Sequence, residues 1–282
     1  MSKNLSNLEI KKFEAEVHHK FRVVADDLNT FGRLRQIQAA KTQFPVFGYS
    51  KMQLHVTGQQ IKPANGTRTP VEVTLSKYDI GDYTNIFDDA NVNFSEKDEF
   101  AKVIADAMKN QSFQVAIDAL VAAGTTKTVA NNISGSAADM TVDAVIAAGK
   151  QLDADGVPND GGRILLLSSS GVASLMEDPK VTSMDYVSRQ ALMTGKLDNF
   201  YGFNVRMVGA NMEEGGLPID GNNDRKNYAY HKTALGIALN VNSKVDIQWH
   251  NDYAAWFVAG YLSVGASAID TKGIVEIITR ES

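Results

Sequence analysis

Apolar residues along the chain keep two different periods, and the switches between them divide it into segments. Ile10, Phe13, Val17, Phe21, Val24, Leu28 and Phe31 recur at steps of three and four, opposite Lys11, Lys12, Glu16, Lys20 and Asp27. That spacing predicts an amphipathic helix whose apolar stripe must dock, on this chain's own core or on a neighbour's. Gly32, followed by Arg33 and Arg35, predicts where it loosens. From Phe44-Pro45-Val46-Phe47-Gly48 the chain turns extended, because a residue before proline avoids the helical region. Leu54 and Val56, then Val71, Val73 and Leu75, alternate as half-buried strands do, on either side of a Pro63-Ala64-Asn65-Gly66 corner. The pattern predicts a hairpin over 53–75 with a polar tip that includes Gln59, Gln60, Lys62, Asn65, Thr67, Arg68 and Thr69. Ten residues of strand reach roughly 33 Å, and an isolated two-stranded hairpin is marginal in water. Another surface is needed to hold it. Tyr78 to Phe87 continues as an aromatic, β-leaning bridge.

The helical period returns at Ser95-Glu96-Lys97-Asp98, a capping-box pattern. Phe100, Val103, Ile104, Ala107 and Met108 make one apolar face; Phe113, Ile117, Leu120 and Val121 continue it, and Gly124 supplies a C-cap. A helix from about 95 to 123 would be roughly 42 Å long, twice the usual globular length or more. Residues 125–140 read as a polar linker. A helix around 141–152, a Gly/Asp loop, a buried strand from Arg163 to Leu167, short helices near 170–177 and 182–194, and a strand from Phe203 to Val208 follow. This alternation predicts a compact α/β unit inside an α+β chain. After a Gly/Asn/Asp loop over 209–227, the tail from Val245 to Thr279 is mostly extended.

With 282 residues, 44% of them hydrophobic and 22% charged, the chain can bury a sizeable core. No apolar run approaches the roughly 18 residues of a membrane span, so no membrane partner is expected, and the N-terminus lacks the apolar core of a signal peptide. Without cysteine there is no disulfide, thiolate metal site or cysteine nucleophile, and the chain reads as cytosolic when made. A net charge of −5 argues against a dedicated nucleic-acid binder. Residues 1–41 nevertheless carry eight Lys/Arg against five Asp/Glu, leaving −8 on the rest. That basic arm fits an acidic partner or packaged nucleic acid, and equally a solvated helix face.

Candidate chemistry is sparse. Ser168-Ser169-Ser170-Gly171 follows a buried strand but lacks the leading glycine of a nucleophile elbow, so a helix N-cap is the better reading. Gly195-Lys196 has Gln190 and Leu197 where a phosphate loop needs Gly and Ser or Thr. The acidic loops around Asp153, Asp155 and Asp160, and around Asp220 and Asp224, miss the spacing of a calcium loop and read as turns. His18, His19, His55, His231 and His250 show no metal-ligand spacing. No catalytic residue, metal or cofactor is expected.

An amphipathic arm, a long polar-tipped hairpin, an overlong helix and no active site suit a protein whose copies cover one another's projecting elements. At this point the residues resemble a known family, the tailed-phage major capsid proteins with the HK97-type fold, with closest likeness to the short-tailed, T7-like and marine branch. "FPVFGYSKMQLHVTGQQIKP" is similar to the ascending strand of that family's extended loop. "PVEVTLSKYDIGDYTNIFDDANVNFSEKDEFAKVIADAMKNQSFQVAIDAL" resembles its descending strand, link and spine helix. "GKLDNFYGFNVRMVG" resembles a recurrent segment of the lobe at the capsomer centre, and "AWFVAGYLSVGASAIDTKGIVEII" the closing peripheral strands.

The resemblance implies an N-arm over 1–43, an extended loop over 44–76, a peripheral domain over 77–130 and an axial domain over 131–240. Residues 241–282 would then be return strands of the peripheral domain and a C-terminal strand. It implies inter-subunit contacts through Gln59, Gln60, Ile61, Lys62, Pro63, Asn65 and Arg68 of the loop and Phe13, Val17 and Phe21 of the arm. Its partners would be further copies in pentamers and hexamers, a separate scaffolding protein, a portal protein, a decoration protein in some members, and packaged dsDNA through weak non-specific contact. Location would be the virion capsid after assembly in the bacterial host cytoplasm. Some members crosslink a loop lysine to a neighbour's asparagine; Lys51 and Lys62 offer amines here, but no crosslink is expected. Two alternatives stay open: a bacterial nanocompartment shell on the same fold, with Phe13, Val17 and Phe21 lining a cargo groove, and an α/β enzyme built on 141–240.

Overall fold

The computed structural model describes residues 28–281 except 49, 53, 56, 59, 61–65, 86–94, 126, 134, 179–197, 210–214 and 242. The stripe from Ile10 to Val24, the helix near 182–194 and the Gly195-Lys196 motif lie outside the described residues. So do Phe13, Val17, Phe21, Gln59, Ile61, Lys62, Pro63 and Asn65.

Two sheets and one long helix carry the architecture. The end of the N-terminal stripe is helical over Leu28–Phe31, α1. It stops before Gly32, which packs against the Leu235 backbone and the Ile237 side chain. The chain then forms β1, Arg33–Ile37. β2, Lys41–Phe47, and β3, Arg68–Thr74, pair antiparallel with each other alone. β4, Ser76–Asn85, realises the aromatic bridge as an edge strand. Helix α2 runs from Glu96 to Ala122, 27 residues and about 40 Å. Its N-cap is Ser95, but the capping box expected there does not close. The Ser95 carbonyl accepts from the Asp98 and Glu99 amides while its hydroxyl makes no cap bond. Glu96, Asp98 and Glu99 meet the positive end of the helix dipole instead. Gly124 takes the left-handed conformation just past the end, as a C-terminal glycine should.

The first sheet has the order β1-β10-β12-β11, with β4 also pairing β12. Its members are β10 (Leu235–Asn240), β11 (Lys244–His250) and the 14-residue β12 (Ala255–Ala268). β1 runs parallel to β10, so the segment just after α1 is tied to residues from the far end of the chain. Glycine at 260 lets α2 approach β12 closely: a Cβ there would lie 2.5 Å from Ile104.

The second sheet has the order β5-β13-β9-β6-β8-β7. It contains β5 (Thr128–Val129), β6 (Arg163–Ser168), β7 (Asn199–Phe200), β8 (Phe203–Val208), β9 (Asp224–His231) and β13 (Ile274–Arg280). β6 is buried throughout because both faces are covered. Ile164 and Leu166 enter the core shared with Phe113, Ile117 and Leu120 of α2, while Leu165 and Leu167 pack under α3, Val142–Ala154, with Val145 and Leu152. The short helix α4, Ser169–Glu177, follows β6 directly. The loop expected over 209–227 already becomes strand at Asp224. The extended tail splits, its last strand leaving the first sheet to pair with β9 and β5 in the second. Gln114 of α2 ties the halves together through the Gly216 amide (2.8 Å) and carbonyl (3.3 Å).

Candidate inter-subunit surfaces

The hairpin is anchored earlier in the chain than alternation suggests. Its ladder pairs Lys41 with Thr74 through to Phe47 with Arg68, and the Gly48 amide donates to the Thr67 carbonyl at 2.7 Å. The buried strand residue is Phe44, packed with Val73, Leu75 and Ala238 against Ile37 and Ile269. The reading of Leu54 as a half-buried strand residue is therefore corrected. Leu54 is 94% exposed and outside any strand, and Val56 lies outside the described residues. The physical reason is lack of cover: every described residue from Gly48 to Thr67 is exposed. Alternation reports which face is apolar, not which molecule covers it.

Two glycines seat the base. Gly236 leaves room for Phe44, whose ring would lie 2.9 Å from a Cβ there. Gly265 faces the Thr74 carbonyl, with which any Cβ would collide. Polar contacts align the strands: Arg35 donates to the Gln43 carbonyl at 3.0 Å, and Lys41 bonds Glu72 at 2.6 Å. That lysine holds the Glu72 carboxyl below its usual range. Arg68 stacks its guanidinium 5.3 Å above the Phe47 ring, so this expected contact residue partly serves its own arm. Farther out, Phe47 is 67% exposed and Met52 100%. Gln60 and Lys51 are exposed too. The arm thus offers apolar groups to solvent along a projecting hairpin.

A second surface escaped the sequence reading. At the β11–β12 turn, the Tyr83 ring lies 4.6 Å from Phe257, 5.3 Å from Tyr253 and 5.9 Å from His250. Trp249 and Trp256 pack edge-on at 5.2 Å, and Lys97 caps Trp256 at 4.5 Å. Gly81 admits the Phe257 ring, which would lie 2.6 Å from a Cβ. Tyr83 and Tyr253 remain exposed. The signal was the aromatic run from Trp249 to Tyr261, legible only as β propensity.

Among the described residues, Ser168 and the acidic-loop candidates have structural tasks. The Ser168 hydroxyl accepts from the Gly171 amide at 3.1 Å as the N-cap of α4 and donates to Glu281 at 2.6 Å. Asp153 pairs with the buried Arg163 at 2.5 Å, and Asp155 with Lys127. Asp160 accepts from the Gly162 amide and lies 2.9 Å from His231 Nε2, which holds its carboxyl low. Asp220 accepts from the Asn222 and Asp224 amides in a turn. Around β9 and β13 a clasp forms. Asp224 takes both Arg280 Nε (2.6 Å) and Nη2 (3.0 Å), while Glu281 takes Arg225 Nε (2.7 Å).

A family model for phage capsid proteins matches residues 5–281. The chain belongs to the phage capsid protein family. The capsid structure of cyanophage P-SCSP1u has the same fold, with TM-score 0.75 over 100% of this chain and 96% of that one at 16% identity. The head structure of Helicobacter pylori bacteriophage KHP40 gives 0.76 over 99% and 98% at 12% identity. The capsid of a native GTA particle gives 0.70 over all of both chains, also at 12%. No curated protein matches at the same stringency. The fold is the α+β, HK97-like fold of phage capsid proteins, and the family role is structural: a shell protein, not an enzyme. Neither the nanocompartment nor the enzyme reading is favoured beside that match.

Proposed function

We propose that this capsid protein builds an icosahedral shell of pentamers and hexamers around phage dsDNA, with the hairpin arm of each copy lying across the adjacent copy. The observation that carries this reading is the arm's exposed apolar content: Phe47 ends a strand of the hairpin, Met52 and Leu54 lie beyond it, and among the described residues the arm is buried against its own subunit at its base. Gln59, Gln60, Ile61, Lys62, Pro63, Asn65 and Arg68 are its contact residues, and Phe13 and Val17 of the N-terminal stripe reach a second neighbour. The second-sheet lobe gathers at the capsomer axis, and the first sheet with α2 forms the periphery. A separate scaffolding protein guides assembly in the host cytoplasm. A portal occupies one vertex, and a decoration protein is an optional addition. The −8 surplus outside residues 1–41 keeps contact with packaged DNA weak.

The test is expression of the chain with and without a scaffolding partner, followed by sedimentation and negative-stain microscopy. Closed shells or tubes are expected. A variant with residues 50–66 replaced by a short Gly-Ser turn should stay folded and dispersed. Dispersed wild-type subunits under every condition, or shells formed equally well by the shortened variant, would overturn the arm's role.

A further inference from the structure

Between α2 and the first sheet lies a groove of about 690 Å³, lined on its apolar side by Leu34, Ala105, Met108, Leu239, Val245 and Leu262. Leu28, the first described residue, stands on its rim. The 27 residues before it carry an apolar stripe at helical spacing, with Val24 one turn and Phe21 two turns before Leu28. The register between α1 and α2 gives the direction. Phe31 meets Phe113 edge-on at 4.5 Å, and Leu28, three residues earlier, shares the groove with Met108 and Ser112. The two helices therefore step backward together. One further helical turn before Leu28 would bring position 24 toward Ala105, where the groove continues. Helical spacing keeps Phe21, Val24, Leu28 and Phe31 on one face.

We propose that this groove is the seat of the chain's own residues 20–27, with Val24 and Phe21 filling it in cis. The inference deepens the arm reading and divides it. Phe21, counted above among the contacts to a neighbour, belongs to its own subunit, and Phe13 and Val17 beyond it remain for another copy. A cis anchor of this kind fixes the direction in which the rest of the arm leaves the body.

The chain has no cysteine, so an introduced pair reports proximity without background. Val24→Cys with Ala105→Cys is oxidised in dilute, unassembled subunits and run on a non-reducing gel. Val24→Cys with Lys150→Cys, on the helix covering the other sheet, is the distant control. More than half conversion to a faster, monomer-sized band is expected for the first pair and none for the control. A dimer band alone would place a neighbour's arm in the groove and overturn the proposal; no bond at all would overturn it too. As a second readout, trypsin cleavage after Lys20 and Arg22 should quicken at least about tenfold in the Phe21→Ser, Val24→Ser double variant, because an anchored segment is cut only when it opens. Equal rates would count against anchoring. Both readouts use dispersed subunits, so they stand whether or not shells form.

Discussion

Glycine at 265 shows how one missing methyl positions a whole element. A Cβ there would strike the Thr74 carbonyl, a backbone atom that cannot swing aside as a side chain can. Gly265→Val should therefore lift the arm base and lower stability by about 1–3 kcal/mol, the usual cost of overpacking. In a chain of this size that is a fall in melting temperature of several degrees, read by circular dichroism. The clasp on β13 makes a prediction of opposite kind. The hydrogen bond from Arg280, foremost, holds the Asp224 carboxyl below its usual range. Burial alone would raise Glu281, but Arg225 and Ser168 outweigh it and its net shift is also downward. Carboxylates with lowered folded pKa values contribute stability above their unfolded values, near 3.9 and 4.3, and lose it as pH falls through the folded ones. Melting temperature should thus hold above about pH 5 and drop below about pH 4. Asp224→Asn should flatten that drop, and an unchanged slope in the variant would show that other carboxylates govern it.

Helix α2 is the element whose sequence and structure agree most closely, and its side chains separate a predicted face from a used one. Ile117 and Leu120 are fully buried in the core shared by the two sheets, whereas Val121, on the same expected face, is exposed. Ile117→Ala should cost about 2–5 kcal/mol, and Val121→Ala about 0.5 kcal/mol or less, both measured by urea unfolding. The same logic separates what was legible in the sequence from what was not. α2, α3, β6 and β8 carry their own period, so local spacing revealed them. β1, with Arg33 and Arg35 beside Leu34 and Ile37, has no strand-like alternation of its own. Its partner β10 supplies the pairing from the other end of the chain. The hairpin was legible as a hairpin, but its anchoring strand was displaced toward Leu54. The pocket that buries Phe44 is assembled from Ala238 and Ile269, which no local pattern announces. Contact residues at the arm's tip rested on the family resemblance, because a surface completed by another molecule leaves no period in one chain.

At the scale of the whole molecule, exposed apolar groups on the arm separate folding from assembly. Met52 at 100% exposure and Leu54 at 94% contribute nothing to the stability of their own subunit. If a neighbouring copy buries them, each is worth about 1.5–3 kcal/mol of contact on full burial, and every 1.4 kcal/mol is about tenfold in an association constant. The double variant Met52→Ser, Leu54→Ser should keep the wild-type melting temperature within about 1 °C, as surface changes do. It should also raise the concentration at which light scattering first reports particles by at least roughly tenfold. The two measurements must part company for the arm to be an assembly element. A fall in melting temperature with no shift in threshold would mean that these side chains pack within their own subunit. A shift in threshold alone places their partner surface on another copy.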